Sequence, residues 1–80
     1  MKVREFLEPF NILTEVEIRM DGSILFKGTI SDIRPGYVNC PSIQAAYHNQ
    51  ILDLYLGKDG ALIYGGGVLV VYATQKEEEK

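Results

Sequence analysis

Gly65-Gly66-Gly67 is the stretch of this 80-residue chain where the backbone itself could approach a phosphate or another anion. Three successive residues without a Cβ leave their N–H groups open to close contact. Tyr64 precedes the triplet and could stack against a ring, while Lys58 and Arg34 would supply positive charge to an anionic group. The pattern is not a P-loop. No Lys-Ser/Thr pair follows the glycines, and Lys58 comes before them, where it cannot stand in for the Walker lysine. The strand-to-helix setting of a dinucleotide fingerprint is missing as well. A glycine run of this kind is also the ordinary material of a hairpin loop or bulge, and that reading competes with the anion site.

The other chemistry-bearing side chains are sparse. His48 is the single histidine, so a metal site would have to recruit Cys40, Asp53 or Asp59 from loops, and no pair of these has the spacing zinc requires. Its plain reading is a polar residue at a helix end. Cys40 is the single cysteine, which excludes an intrachain disulfide and reads as a small apolar residue. A Cys40–His48 nucleophile pair carries no cysteine-protease signature, and a chain of this length leaves no room for a substrate cleft. No catalytic residue, metal ligand or cofactor is therefore expected, and the chain reads as a non-enzyme. Five tyrosines and no tryptophan are more telling. Tyr55, Tyr64 and Tyr72 fall on or beside strands, where tyrosine packs a core or interface, or lines a pocket or protein-binding face.

The elements that must hold any site follow from periodicity. Val3, Phe6, Leu7 and Phe10 recur at helical spacing, predicting a short amphipathic helix that stops within a residue or two of Pro9. From Thr14 the period becomes two, with Val16, Ile18 and Met20 on one face and Glu15, Glu17 and Arg19 on the other. Across Asp21-Gly22-Ser23, a two-residue turn would pair Ile18 with Leu25 and mix the faces. A three-residue loop pairs Met20 with Ile24 and Ile18 with Phe26 and keeps one face apolar, so a bulged hairpin is expected, with Gly22 or Ser23 left-handed. Ser31–Pro41 is rich in turn residues. Ser42 could cap a second short helix carrying Ile43, Ala46 and Tyr47, and Ile51–Leu56 alternates as a third strand. Gly57-Lys58-Asp59-Gly60 reads as a turn, Ala61–Tyr64 as a brief strand, and Val68–Ala73 as the last strand. The expected fold is α+β: a mostly antiparallel sheet of about four strands with two short helices, in the order α-β-β-α-β-β. Residues 1–74 form one domain, and 75–80 a solvated charged tail.

Val68-Leu69-Val70-Val71-Tyr72-Ala73 is apolar on both faces, which calls for cover on both sides by helices or by another subunit. Val68, Val70, Val71 and Tyr72 are the interface candidates for a homo-oligomer. A net charge of −3 with no basic stripe argues against a nucleic-acid partner. Six consecutive apolar residues cannot span a bilayer, and Met1–Phe10 has no signal-peptide core, so no membrane role and a cytoplasmic location are expected.

The start Met1-Lys2-Val3-Arg4-Glu5-Phe6-Leu7, then Thr14-Glu15-Val16-Glu17-Ile18, Leu25-Phe26-Lys27-Gly28-Thr29 and Ser31-Asp32-Ile33, resembles a loose set of short uncharacterised proteins from Firmicutes and their phages or mobile elements. In that set a leading helix is followed by the two strands, an SDI turn and a closing hairpin. The resemblance carries no catalytic residues over. It departs at Gly57–Gly67, a longer, glycine-rich excursion. It implies a phage or mobile-element protein. With no acid–base pair, metal cluster or activated nucleophile, and more apolar and aromatic surface than a monomer can hide, the chain is expected to act by stoichiometric binding. One version is an oligomer that captures a small anionic molecule, such as a nucleotide signal of host defence, through Arg34, Lys58, Tyr64, Gly65, Gly66 and Gly67. Another is an inhibitor or adaptor docking on a host protein, in the manner of an anti-CRISPR. A purely structural homo-oligomer is the third.

Overall fold

The computed structural model describes residues 1–33, 42–63 and 65–77, and their fold is of the α+β class. Among the described residues the elements are α1 (Val3–Leu7), β1 (Glu15–Met20), β2 (Ser23–Thr29), α2 (Ile30–Ile33), α3 (Ser42–Leu52), β3 (Tyr55–Ile63) and β4 (Leu69–Thr74). The strands form one sheet in the order β2-β1-β4-β3. Both outer pairings are antiparallel, as expected, but the central β1 and β4 run parallel, so the sheet is mixed. The cause is the connection. Two hairpins joined through α3 lie side by side with their more apolar strands inward, and a parallel pair needs such a crossover.

The first hairpin solves its register differently from the expected three-residue loop. Asp21 and Gly22 both have positive φ, +53° and +82°, and form a two-residue turn pairing Met20 with Ser23. Such mirror-image turns match the twist of the strands they join, and Asp-Gly is a favoured sequence for them. The conflict of faces is removed by a bulge instead. Ile18 pairs with Phe26 and Arg19 with Ile24, which leaves Leu25 as the extra residue. The expected Ile18–Phe26 pair therefore forms, and the expected Met20–Ile24 pair does not.

Two further expectations are corrected. Ile51 and Leu52 belong to α3 rather than to a strand, and both are buried. Apolar residues at 51, 52, 54 and 56 satisfy both the helical and the alternating template, and the helix wins up to Leu52 because Ile51 and Leu52 both reach the core. His48 consequently lies inside α3, buried and edge-on to the Phe26 ring at 5.4 Å, rather than at a helix end. The third helix, α2, was hidden in the turn-rich connection. The Asp32 carboxylate accepts from the Thr29 backbone N–H at 3.1 Å and its hydroxyl at 3.0 Å, capping α2 so that Ile30 and Ile33 turn inward. A Cβ on Gly28 would lie 3.1 Å from both that carboxylate and the Phe26 ring, so this glycine makes room for the cap. Residues 34–41, with Arg34, Tyr37 and Cys40, lie outside the described residues, as does Tyr64.

α1 ends at Leu7, ahead of Pro9, and is tied to β3 through the backbone. Val3 N–H donates to Leu54 O and Leu56 N–H to Met1 O, both at 2.8 Å, so that Lys2 bridges Tyr55. One core results: Val3 and Leu7 of α1, Ile30 and Ile33 of α2, and Ile51 and Leu52 of α3 pack on Val16, Ile18, Leu69, Val71 and Ala73 of the central strands. The alternate residues Glu17, Arg19, Val70 and Tyr72 face the other way. There the buried Glu17 carboxylate accepts from the Arg19 guanidinium, which answers the cost of burying it.

Beyond β4, Gln75, Lys76 and Glu77 are exposed. Glu77 Oε2 meets the N-terminal ammonium at 3.4 Å, between groups more than half exposed. An exposed pair of this kind contributes little. Truncation after Thr74 is accordingly expected to lower the melting temperature by less than about 4 °C, roughly 1 kcal/mol for a domain of this size. A larger fall in a thermal melt would mean that the tail docks.

Candidate functional site

Between Leu56, paired with Ala73, and Ala61, paired with Val71, four residues of β3 stand against the single residue Tyr72. Gly57-Lys58-Asp59-Gly60 is thus a bulge within β3 rather than a turn between strands, and Gly60 takes the left-handed conformation at φ +68°. Glycine serves here because the chain must leave the pleat and return to it within a few residues. The Asp21-Gly22 turn lies at the same end of the sheet. Because β4 runs between β1 and β3, the two loops stand about 10 Å apart across it, two strand spacings.

These loops bound a cavity of about 360 Å³. Among the described residues, Lys58 and Asp59 line one wall, Arg19 and Asp21 the other, and Tyr72 and Thr74 the strand between them. The cavity is at the small end of the range for clefts that hold organic ligands. Its rim carries charges of both signs. It contains no close group of three His, Cys, Asp or Glu side chains suited to a metal ion, and none occurs elsewhere among the described residues.

Of the six residues expected to contact a ligand, Lys58 lines this cavity. Gly65, Gly66 and Gly67 lie beyond Ile63, past the other end of β3, in its turn toward β4. They are exposed, and a Cβ added to any of them would meet nothing within 4 Å. Gly66 and Gly67 have φ of +90° and +81°, so the turn itself requires glycine there. Lys58 and the triplet are not brought together. Tyr64 and Arg34 fall outside the described residues.

The interface candidates divide by strand parity. Val71 is 0% exposed and points into the core beneath the helices, leaving no surface for a second subunit. Val70 is buried on the opposite face beside Glu17, Tyr72 is half-buried along the cavity, and Val68 is half-buried at a hollow near Lys27. More surface is offered by two residues that the sequence reading passed over, Leu62 and Ile63, which are 51% and 71% exposed on the outer strand β3. Arg19, Asp21 and Asp59 were missed as well. The available signal was a glycine pair flanking Lys58-Asp59 between two residues of like facing, Leu56 and Ala61, which is the signature of a bulge. Among the described residues no helix is long and apolar enough to cross a membrane. No family model, curated protein or solved structure matches the chain.

Proposed function

We propose that this chain is a non-catalytic protein that acts stoichiometrically by binding another polypeptide, a second copy of itself included. The observation that supports this is the outer edge of β3 at Ala61–Ile63, where no described strand pairs and where Leu62 and Ile63 are exposed. An edge strand presents unpaired N–H and C=O groups as a template for another strand. Leu62 and Ile63 point to opposite faces, so an added strand gains an apolar neighbour on each side of the sheet. The first part of the same strand is already occupied in this way by Lys2, which bridges Tyr55. A phage or mobile-element origin, and a host defence protein as the docking partner, belong to this reading through the resemblance of the MKVREFL, TEVEI and LFKGT segments.

Light scattering across a concentration series tests it. The wild-type chain is expected to associate reversibly as concentration rises, and Ile63→Lys to stay monomeric with an unchanged melting temperature, since an exposed substitution costs within about 0.5 kcal/mol. A wild-type chain that stays monomeric up to millimolar concentration would remove self-association. Small-ligand capture is the second reading, and the observation favouring it is the cavity beside Lys58 and Arg19.

A further inference from the structure

From the charges around the cavity between the β3 bulge and the β1–β2 turn, we infer that it is a site for a free amino acid with an apolar side chain. The inference rests on the small-ligand reading and changes its ligand class. Arg19 and Lys58 bring two cations to the lining, but Asp21 and Asp59 bring two carboxylates to the same space. The Arg19 guanidinium is moreover engaged by Glu17, so its charge is largely answered within the protein. A phosphate entering here gains Lys58 and meets two acids, and like charges brought together are costly. An amine without a counter-charge meets the reverse problem at Lys58. A zwitterion satisfies both: its carboxylate pairs with the Lys58 ammonium and its ammonium with Asp21 or Asp59.

The remaining lining fixes the rest of the molecule. Tyr72, on the same face of the sheet as Arg19, supplies the apolar part of the wall, against which a hydrocarbon or aromatic side chain can pack. A volume of about 360 Å³ accommodates a single amino acid with its side chain. The backbone agrees with a built feature. A turn and a bulge from opposite halves of the chain, the turn with Asp21 at positive φ and the bulge with Gly60, stand on either side of one strand. Bulges that kink a strand in this way are over-represented beside binding and active sites.

The test uses matched probes on the full chain labelled with nitrogen-15. L-phenylalanine carries both charges, 3-phenylpropanoate lacks the ammonium and 2-phenylethylamine lacks the carboxylate; L-leucine repeats the zwitterion without the ring. Saturable amide shifts are expected at residues 19–22, 57–60 and 72–74 with phenylalanine or leucine, and binding of the acid and of the amine is expected to be at least about tenfold weaker. Lys58→Gln and the double change Asp21→Asn with Asp59→Asn, all at exposed positions, are each expected to weaken phenylalanine binding about tenfold with the melting temperature unchanged. Equal or tighter binding of 3-phenylpropanoate would overturn the amino-acid assignment and leave anion capture standing. Absence of saturable shifts with all four probes would overturn the amino-acid assignment without touching the β3-edge proposal.

Discussion

Val71→Glu is expected to give a chain with no cooperative thermal transition. Val71 lies on β4, between Ile18 of β1 and Ala61 of β3, and is 0% exposed. A carboxylate there is surrounded by the apolar residues of the single core, with no cation among them. An unpaired buried charge costs several kcal/mol even after relaxation. A chain of 80 residues has on the order of 4–12 kcal/mol of stability in all, so the substitution consumes most or all of it. Ile18→Ala provides the graded comparison. It removes a buried side chain from the other central strand, at a cost of about 3 kcal/mol, and is expected to lower the midpoint by about 12–24 °C. Circular dichroism melts check both. A Val71→Glu chain melting cooperatively within about 4 °C of wild type would mean that β4 presents its other face to the helices. The contrast with Ile63→Lys separates folding from association, since Ile63 is 71% exposed.

That contrast also marks how far the sequence alone could be read. The doubly apolar run at Val68–Ala73 read correctly as the last strand, which the structure places at Leu69–Thr74. It could not say which parity faced the helices and which faced Glu17, because valine stands at both positions. Alternation in β1 and β2 was enough to find the Ile18–Phe26 pair. The turn was misjudged because two local rules conflicted, the preference of Asp-Gly for a two-residue turn and the need to keep one face apolar. The chain satisfies both through the Leu25 bulge, a device that pattern counting does not contain. At Ile51–Leu56 the apolar spacing fits a helix and a strand equally, and only the packing of α3 on the sheet decides. α2 has four residues, too few to show a period, and was legible only through Thr29 and Asp32 as a cap. For the site, Lys58 was picked out for its charge together with glycines that lie past the other end of β3. The triplet at 65–67 drew attention because it is contiguous. The glycines at 57 and 60 are the two ends of the bulge, and Gly57 lines the cavity. The carboxylate of Asp21 had no sequence signal, since what brings it to the side of Asp59 is the position of β4 between β1 and β3.

Replacing Gly57-Lys58-Asp59-Gly60 by a single threonine is expected to stabilise the fold and to abolish amino-acid binding together. One residue is the number that restores a regular ladder. Leu56 already pairs with Ala73 and Ala61 with Val71, so the new residue stands opposite Tyr72 and both neighbours keep their facing toward the core. Two residues would turn Leu56 or Ala61 outward. A wider deletion reaching Gly67 would remove Ala61–Ile63 as well, and with it the edge proposed for docking. The trimmed strand no longer orders three additional residues, and two flexible glycines are gone from its interior. β-Branched threonine also fits a pleated strand better than the residues it replaces. A gain of about 1–2 kcal/mol follows, which for a domain of this size raises the midpoint by about 4–16 °C. The wall carrying Lys58 and Asp59 disappears with the bulge, so L-phenylalanine should no longer shift the amides of residues 19–22 or 72–74. Self-association through Leu62 and Ile63 should be retained. A bulge kept for binding at the expense of stability predicts this pairing of outcomes. If trimming instead lowers the midpoint by more than about 4 °C, the extra residues are needed to twist β3 against β4. Their presence then carries no functional meaning.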